Sequence, residues 1–267
     1  MPITPEHKEI LLTQSESKTL PEWFEFFGSQ YTKDQIYSFC YHNKKKIKKI
    51  SREEKSQIQS QNARKWHINQ DYFKTWSHNM AYMLGFWFAD GCIYGGKMFD
   101  ITTHANDKYI IKKFAEELEY EGPIIDYADR QAARLNFSCV VIYNDLKKLG
   151  GTERKSLTAQ FPIKNIPKKY LSDFIRGYFD GDGCVYSIKG KRLNTSFCSG
   201  SKDFLDQLLL ILKQEAEVTG GYYNSQNKTI SFGKSDSLKI GQYMYKNNPE
   251  LFLKRKKDKF LYFLENI

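Results

Sequence analysis

The sequence predicts an α+β protein built as a pseudo-twofold αββαββα tandem repeat, with a small helical segment before it. Two phrases favour this class, FWFADGCIY at 86–94 and YFDGDGCVY at 178–186, which share Asp-Gly-Cys, a β-branched residue and Tyr at an offset of 182 − 90 = 92 residues. The same order of helical and strand-like segments follows both phrases. An internal repeat of this kind indicates one architectural unit used twice in a single chain.

Each half begins with an apolar helix that ends at the Asp-Gly pair. In the first half SHNMAYMLGFWFA has Ser77 as its N-cap, and in the second NIPKKYLSDFIRGYF has Pro167 near the helix start. Gly85 and Gly177 lie five residues before the two aspartates, where glycine costs about 1 kcal/mol relative to alanine. Close approach of the two helices would compensate for this, and a local kink is the alternative.

The segments after each phrase alternate between the two-residue period of strands and the 3.6-residue period of helices. Glycines 95, 96 and 190 predict hairpin turns, and N-caps at Asn106 and Ser201 predict the next helix of each half. Strand-like RLNFSCVVIY and KTISFG follow, each before a short helix, NDLKKLG and SDSLKIGQYMY. We therefore assign residues 76–160 to the first half of the repeat and 161–267 to the second.

The chain before the repeat has a different composition. LPEWFEFFGSQYTKDQIYSFCYHN predicts a helix, a turn at Gly28 and a second helix capped at Thr32, the outline of a helix-turn-helix, with the basic run KKKIKK after it. A helical bundle with a solvated basic edge is the alternative. Residues 1–50 form this segment, and the polar residues 51–75 are interpreted as a linker.

Composition narrows the classes of partner and compartment. The 41 Lys and Arg against 31 Asp and Glu give a net charge of +10, which favours a polyanion, either nucleic acid or an anionic membrane surface. No apolar run reaches the roughly 20 residues of a membrane span, and the N-terminus lacks a signal peptide. Five cysteines without C-x-x-C spacing exclude a zinc knuckle. We expect a soluble intracellular protein, cytoplasmic if its source is a prokaryote or phage.

The repeated aspartates suggest the chemistry. If the two apolar helices lie side by side and parallel, their C-terminal ends bring Asp90 and Asp182 together. Two carboxylates at the negative ends of two helix dipoles repel each other unless a divalent cation lies between them. Mg²⁺ suits such a site because it takes few carboxylates, keeps several waters and binds phosphate oxygens. Metal-assisted phosphodiester hydrolysis is the chemistry we expect there.

MLGFWFADG and IRGYFDGDG resemble the two helix motifs of monomeric LAGLIDADG homing endonucleases, and the resemblance covers about residues 76–267. It implies a monomeric, site-specific double-strand DNA endonuclease that depends on Mg²⁺ and is encoded in an intron. It also implies that the two sheets of the enzyme lie over the major groove of the DNA. It also implies that Asp90 and Asp182 bind the metal. The first motif departs from the pattern at Phe88, where the second has Asp180, which we interpret as a supporting or helix-capping residue.

Basic and polar residues complete the expected site. The resemblance implies a lysine near each scissile phosphate, and Lys155 and Lys256 hold corresponding positions in TERKSLTAQFP and FLKRKKDKFLYF. Base recognition should use alternate side chains of the hairpin strands. The candidates are Lys97, Thr103, Arg130 and Arg134 in the first half and Lys189, Arg192, Asn194 and Ser199 in the second.

Three other functions are compatible with parts of the sequence. A DNA- or RNA-binding regulator or intron maturase could use the same fold, but a pure binder has no need for two crowded carboxylates. A splicing intein would begin with Cys or Ser and end near His-Asn, so we expect a free-standing protein. His42-Asn43 and His78-Asn79 could suggest an HNH nuclease, but no further histidine completes a metal site.

Overall fold

A computed structural model describes residues 2–49, 51, 66–188 and 192–264. The chain divides into two compact units, residues 1–63 and 64–267. Lys189 and Gly190, which the sequence assigned to DNA contact and to a hairpin turn, lie outside the described residues. None of the described helices is long and apolar enough to span a bilayer.

The first unit is helical in its described part. Its helices are α1 (Pro5–Gln14), α2 (Leu20–Phe26) and α3 (Lys33–His42). Gly28, with φ of +57°, lies in the turn between α2 and α3, where its missing Cβ removes the penalty of a left-handed backbone. Thr32 caps α3 as expected, because its side chain accepts a hydrogen bond from Gln35 N. Trp23, Ile36 and their neighbours form a separate small core.

The second unit confirms the predicted α+β tandem repeat. Its first half contains α4 (His78–Asp90), β1 (Gly91–Tyr94), β2 (Met98–His104), α5 (Lys108–Glu117), β3 (Ile125–Tyr127), β4 (Ala132–Ser138) and α6 (Val140–Lys148). Its second half contains α7 (Leu171–Asp182), β5 (Gly183–Ile188), β6 (Arg192–Cys198), α8 (Lys202–Glu215), β7 (Tyr222–Asn224), β8 (Thr229–Phe232), α9 (Lys234–Tyr245) and α10 (Lys254–Leu264). Each half forms a four-stranded antiparallel sheet, ordered β1-β2-β4-β3 and β5-β6-β8-β7.

Helices α4 and α7 pack directly against each other through their glycines. A Cβ on Gly177 would lie 2.0 Å from Tyr82 O, and one on Gly181 would lie 2.3 Å from Ala89 Cβ. The two helices therefore run in the same direction and their C-terminal ends meet. This confirms close helix approach as the reason for the mid-helix glycines, because no other residue has a Cβ-free backbone.

Local details differ from the sequence prediction. The helix of the first half starts at Lys108 behind a 3₁₀ turn, so Asn106 is not its N-cap, whereas Ser201 does cap α8. The stretch Val140–Tyr143 starts α6 and does not extend β4, since its apolar side chains pack as one face of a helix. Within the expected linker, Ile68 and Phe73 are buried in the core of the second unit.

The two halves are also joined by an ion pair. The Arg255 guanidinium, at the start of α10, donates to both carboxylate oxygens of Asp107, with Nη2 to Oδ2 at 2.7 Å. Asp107 lies before α5 of the first half and is buried. The paired geometry of guanidinium and carboxylate fixes both distance and orientation between the halves.

Candidate metal centre and nucleic-acid interface

The two motif aspartates lie at the meeting point of α4 and α7. Each is the last residue of its helix, and the next residue, Gly91 or Gly183, turns the chain into the first strand. A Cβ on Gly91 would lie 2.1 Å from the Trp87 ring, so the motif needs glycine there. A Cβ on Gly181 would lie 3.1 Å from Asp90 Oδ2, which places the Asp90 carboxylate against the end of α7.

Burial perturbs both carboxylates, and repulsion from Asp182 adds to its effect on Asp90. Desolvation, with repulsion from Asp182 as the next cause, raises the pKa of Asp90 to about 6. Desolvation also raises the pKa of Asp182, opposed by Lys155 and Lys256. Asp90 remains exposed on one side and Asp182 is half-buried, so a ligand from solvent can reach the pair. Crowded acids with raised pKa values are a common property of functional sites.

Lys256 is held beneath the end of α7. Its Nζ donates to the carbonyl oxygens of Phe179, Asp180 and Gly183 at 2.7, 2.6 and 2.6 Å. The side chain is buried, and this desolvation lowers the pKa of Lys256 to about 8. A cation at a helix C-terminus also offsets the negative end of the helix dipole.

Lys155 occupies the related position in the first half with fewer contacts. Its Nζ donates to Ala89 O at 3.2 Å, and it lies 5.4 Å from the centre of the Trp87 ring. Burial lowers the pKa of Lys155, opposed by the charges of Asp182 and Asp90. The structure therefore brings together all four residues that the sequence assigned to catalysis.

The two halves differ where the second motif has Asp180 and the first has Phe88. Asp180 is buried, and its Oδ2 accepts hydrogen bonds from Tyr82 Oη at 2.8 Å and Leu253 N at 2.7 Å. It therefore anchors the segment that leads into α10 and Lys256. Phe88 packs instead against the Phe174 ring, 5.3 Å away. The departure from the motif thus has a structural role in this chain.

The donor set near the carboxylates is small. Within residues 2–49, 51, 66–188 and 192–264, no group of three or more His, Cys, Asp or Glu side chains could hold a metal ion. A cation at Asp90 and Asp182 would therefore take its remaining ligands from water and from a bound phosphate. That ligand set suits Mg²⁺, which binds few protein groups and keeps several waters.

The exposed sheet faces show which strand residues can contact a ligand. In β2 the side chains of Phe99, Ile101 and Thr103 are buried on the core side, while Thr102 and His104 are more exposed. Thr103 was expected on the DNA-facing side, and the register places it on the opposite one, because one position of slip reverses the face. In β4 the open face carries Arg134 and Asn136.

Of the other predicted DNA contacts of the first half, two lie in exposed turns and one lies in strand β4. Lys97 is exposed in the β1–β2 turn, and Arg130 is exposed in the β3–β4 turn, 3.5 Å from Asp129. The Arg134 guanidinium is already engaged, since its Nε donates to both oxygens of Asp100 at 3.0 and 2.9 Å. The outer edge of the Arg134 guanidinium remains open to a ligand, but the pairing with Asp100 limits how far the side chain can move towards a base.

The second half keeps two of its described candidates on the open face. Arg192 is exposed and Asn194 half-buried in β6, whereas Leu193 and Phe197 face the core. Ser199 is buried, and its Oγ accepts a hydrogen bond from Ser201 N at 3.2 Å. It lies beyond the strand in a turn and is a structural residue, which is a correction to its expected DNA contact.

Sequence reasoning missed part of the open faces. Tyr94 and Tyr186 are the last residues of the two repeated phrases and are 40% and 45% exposed. Strand register places Tyr94 on the face of the first sheet that carries Asn136, and Tyr186 on the face of the second sheet that carries Ser196. Their repetition at the 92-residue offset was visible in the sequence. It was interpreted only as part of the repeat, and the strand alternation would have assigned both tyrosines to the open face.

Comparison with known proteins gives a family match within the second half of the repeat. Residues 169–257 match the family model of the LAGLIDADG-like domain. The chain is 38% identical over 68 residues to the probable translation initiation factor IF-2 of Thermococcus kodakarensis (strain ATCC BAA-918 / JCM 12380 / KOD1). That stretch is 26% of this chain, and the chain spans only 6% of the length of that curated relative.

Several solved structures are similar at low identity. The I-LtrWI LAGLIDADG homing endonuclease bound to target DNA has a TM-score of 0.47 and 12% identity, covering 74% of this chain and 91% of that chain. The homing endonuclease I-WcaI bound to its DNA recognition sequence has a TM-score of 0.49 and 14% identity, covering 72% and 91%. The LAGLIDADG homing endonuclease I-GzeII in complex with a DNA target has a TM-score of 0.49 and 12% identity, covering 70% and 89%.

Proposed function

We propose that this chain, which has a LAGLIDADG-like domain at residues 169–257 and repeats its element order in the first half, is a LAGLIDADG homing endonuclease. It cuts double-stranded DNA at specific sites by hydrolysing phosphodiester bonds. One observation carries the proposal: Asp90 and Asp182 end two packed helices side by side, with the pKa of Asp90 raised to about 6 by desolvation and by its partner. A structural site gains nothing from such crowding.

Divalent metal fits this pair of residues. Asp90 and Asp182 supply hard carboxylate oxygens that remain accessible to solvent on one side, and Mg²⁺ or another divalent cation relieves their repulsion. When bound, such a cation polarises the phosphate, lowers the pKa of a water molecule and stabilises the leaving oxygen. Both carboxylates come from one chain, so we propose that the enzyme acts as a monomer.

The protein groups around the pair have distinct roles. Lys155 and Lys256 hold positive charge beside the carboxylates, close enough to offset part of the rise that burial causes in the pKa of Asp90 and of Asp182. In the complex with DNA we assign them to the phosphates, where a fixed cation stabilises negative charge that develops in the transition state. We assign Asp180 to positioning Lys256, because its carboxylate accepts a hydrogen bond from Leu253 N and its carbonyl oxygen accepts one from Lys256 Nζ.

The open faces of the two sheets supply recognition. Arg134 and Asn136 in the first sheet and Arg192 and Asn194 in the second present donors and acceptors for base edges. The exposed turns with Lys97 and Arg130 supply charge for backbone phosphates. Two related sheets on one chain would read two related half-sites, since each follows the same strand order.

Cleavage of a complex DNA library tests the proposal. The full chain is incubated with double-stranded DNA of diverse sequence and Mg²⁺, and the ends that form are sequenced. We expect double-strand cuts at one sequence family, and none with EDTA or with the Asp182→Asn variant. Asp206→Asn serves as the matched control, because Asp206 is an exposed carboxylate paired with Lys202 on α8. Binding without cuts under any divalent cation would instead favour the regulator or maturase alternative.

A further inference from the structure

A basic groove lies within the first unit, separate from the proposed nuclease. It runs between α3 and the segment after it, which we call the basic segment, residues 44–49. The groove has a volume of about 670 Å³. Four lysines and one glutamate line it together with apolar side chains: Glu16, Tyr37, Cys40, Tyr41, Lys45, Lys46, Ile47, Lys48 and Lys49.

The basic segment is held against the helices by its own backbone. Lys44 N and Lys45 N donate to the carbonyl oxygens of Tyr41 and Cys40 at 3.0 and 2.8 Å, so the chain reverses directly after α3. Lys48 then forms a parallel β-bridge with Thr19. Ile47 packs on the small core. These contacts fix the lysines along one side of the groove, which distinguishes them from a solvated charged tail.

The exposed face of α3 forms the other side. Tyr37 and Tyr41 are 54% and 69% exposed, one helical turn apart, and their rings lie parallel at 6.2 Å. Lys33 and Ser38 are exposed on the same helix. Exposed aromatics beside fixed cations are typical of a surface that binds a polyanion with an apolar component.

We propose that this face of the first unit, α3 with the basic segment, is a second docking surface for double-stranded DNA. Charge complementarity favours a polyanion, since four lysines oppose one glutamate along the groove. A ten-residue helix is about 15 Å long and narrow enough to enter the major groove, which is about 12 Å wide. The lysines beside it then meet the phosphates. The proposal rests on the proposed function for its choice of DNA.

The surface explains features that the nuclease does not use. Gly28 and Ser29 take left-handed backbone conformations, at φ of +57° and +60°, and Thr32 caps the helix, so the turn between α2 and α3 is built from defined backbone geometry. A helix presented in this way has a fixed orientation relative to the basic segment. A fixed orientation is what a base-reading helix needs.

Salt-dependent binding of the full chain tests the surface without any cleavage. The Lys45→Gln/Lys46→Gln variant is compared with Lys8→Gln/Lys112→Gln, which removes the same charge from exposed residues outside the groove. All proteins carry Asp90→Asn, divalent ions are absent, and the probe is a long fluorescent duplex of mixed sequence. We expect the slope of log K against log salt to decrease by about 2 for the groove variant alone.

A Tyr41→Ala variant provides the second measurement. It should lower affinity for the duplex severalfold at an unchanged salt slope, because it removes an apolar contact and no charge. Thermal unfolding of each variant checks that the small core remains folded. Equal slopes for the groove and matched-control variants would overturn the proposal. So would a loss of affinity that appears only with a single-stranded RNA probe titrated in parallel and not with the duplex. Because no readout depends on cleavage, a chain that cuts nothing still gives a clear answer here.

Discussion

Gly85 and Phe174 face each other across the crossing of α4 and α7 so closely that a Cβ on Gly85 would lie 2.0 Å from the carbonyl oxygen of Phe174. Gly177 has the same relation to Tyr82, at the same distance. The contact is between backbones, which cannot move aside as a side chain can. The site depends on it, because this crossing sets where Asp90 and Asp182 end their helices.

We predict that Gly85→Ala and Gly177→Ala each destabilise the second unit by about 1–3 kcal/mol or more, although alanine is the better helix former by about 1 kcal/mol. The added methyl group forces the helices apart. Denaturant unfolding measures the change. Gly233→Ala, at the N-cap of α9, is the steric control, because no atom lies within 4 Å of its Cβ position and it should show only the smaller cost of a poorer cap. Unchanged stability in both helix variants would refute the close-contact account.

Removal of either motif carboxylate should separate cleavage from binding. We predict that Asp90→Asn and Asp182→Asn abolish double-strand cleavage while affinity for the target changes by less than about threefold, since the phosphate contacts remain. Gel shift and plasmid linearisation measure the two properties on the same protein. Near wild-type cutting by either variant would remove these residues from the site.

The same substitutions should stabilise the metal-free protein. The folded pKa of Asp90 is about 6, above its ordinary value of 3.8, so the folded state binds the proton more tightly than the unfolded state. The contribution of Asp90 to stability is therefore fully present below its unfolded pKa of 3.8 and is lost as the pH rises through about 6. We predict that Asp90→Asn raises the melting temperature at neutral pH and that the difference disappears near pH 4.

Mg²⁺ should make the wild-type protein more stable than the Asp90→Asn variant, the reverse of the order without metal. At about 100 times its dissociation constant, a cation that binds only the folded wild-type protein adds about 2.7 kcal/mol of stability. Thermal scans with and without Mg²⁺ should show this gain for the wild type and not for Asp90→Asn or Asp182→Asn. An equal gain in all three proteins would place the metal elsewhere.

A buried lysine predicts an alkaline limit to activity. The pKa of Lys256 is lowered to about 8 from an ordinary value of 10.5, so its charge is present below about pH 8 and lost above it. If that charge assists cleavage, the single-turnover rate falls as the pH rises through about 8. Lys256→Met should be slow throughout and lack this limb. An identical alkaline limb in Lys256→Met would assign it to another group.

Asp180 should affect the position of Lys256 and the stability of the protein, but not the binding of the metal. Asp180→Ala leaves Tyr82 Oη and Leu253 N without their carboxylate acceptor, which costs about 1–3 kcal/mol for each buried group left unpaired. We predict a lower melting temperature and slower cleavage, with an unchanged Mg²⁺ affinity measured by titration calorimetry. A large loss of Mg²⁺ affinity would show that Asp180 is itself a ligand.

Much of the fold could be predicted because the same order of helices and strands occurs twice in the sequence. Ser77 and Ser201 were identified as N-caps because the cap chemistry is local. The helix crossing was predicted from Gly85 and Gly177, whose unfavourable helix propensity needs a tertiary reason. Lys155 and Lys256 were located by their common position after the fourth strand and short helix of each half, a relation that only the repeat reveals.

The remaining errors follow from what sequence patterns do not contain. Thr103 was assigned to the open face by its polar side chain, although strand alternation places it on the same side as Phe99 and Ile101. Ser199 was taken for a strand residue, although the strand ends at Cys198 and its hydroxyl caps a turn. Ile68 and Phe73 looked like linker residues because two isolated apolar side chains carry no period, yet tertiary contact buries both.

The ion pair between Arg255 and Asp107 has a consequence for protein engineering. Chimeras could be made by exchanging one half of this repeat for the half of another protein, and such an exchange would separate these two residues into different parents. A donor half without an acid at position 107 would leave Arg255 unpaired, and a donor without arginine would leave a buried carboxylate alone. Successful chimeras of this scaffold should therefore inherit both residues together, as one transplanted unit.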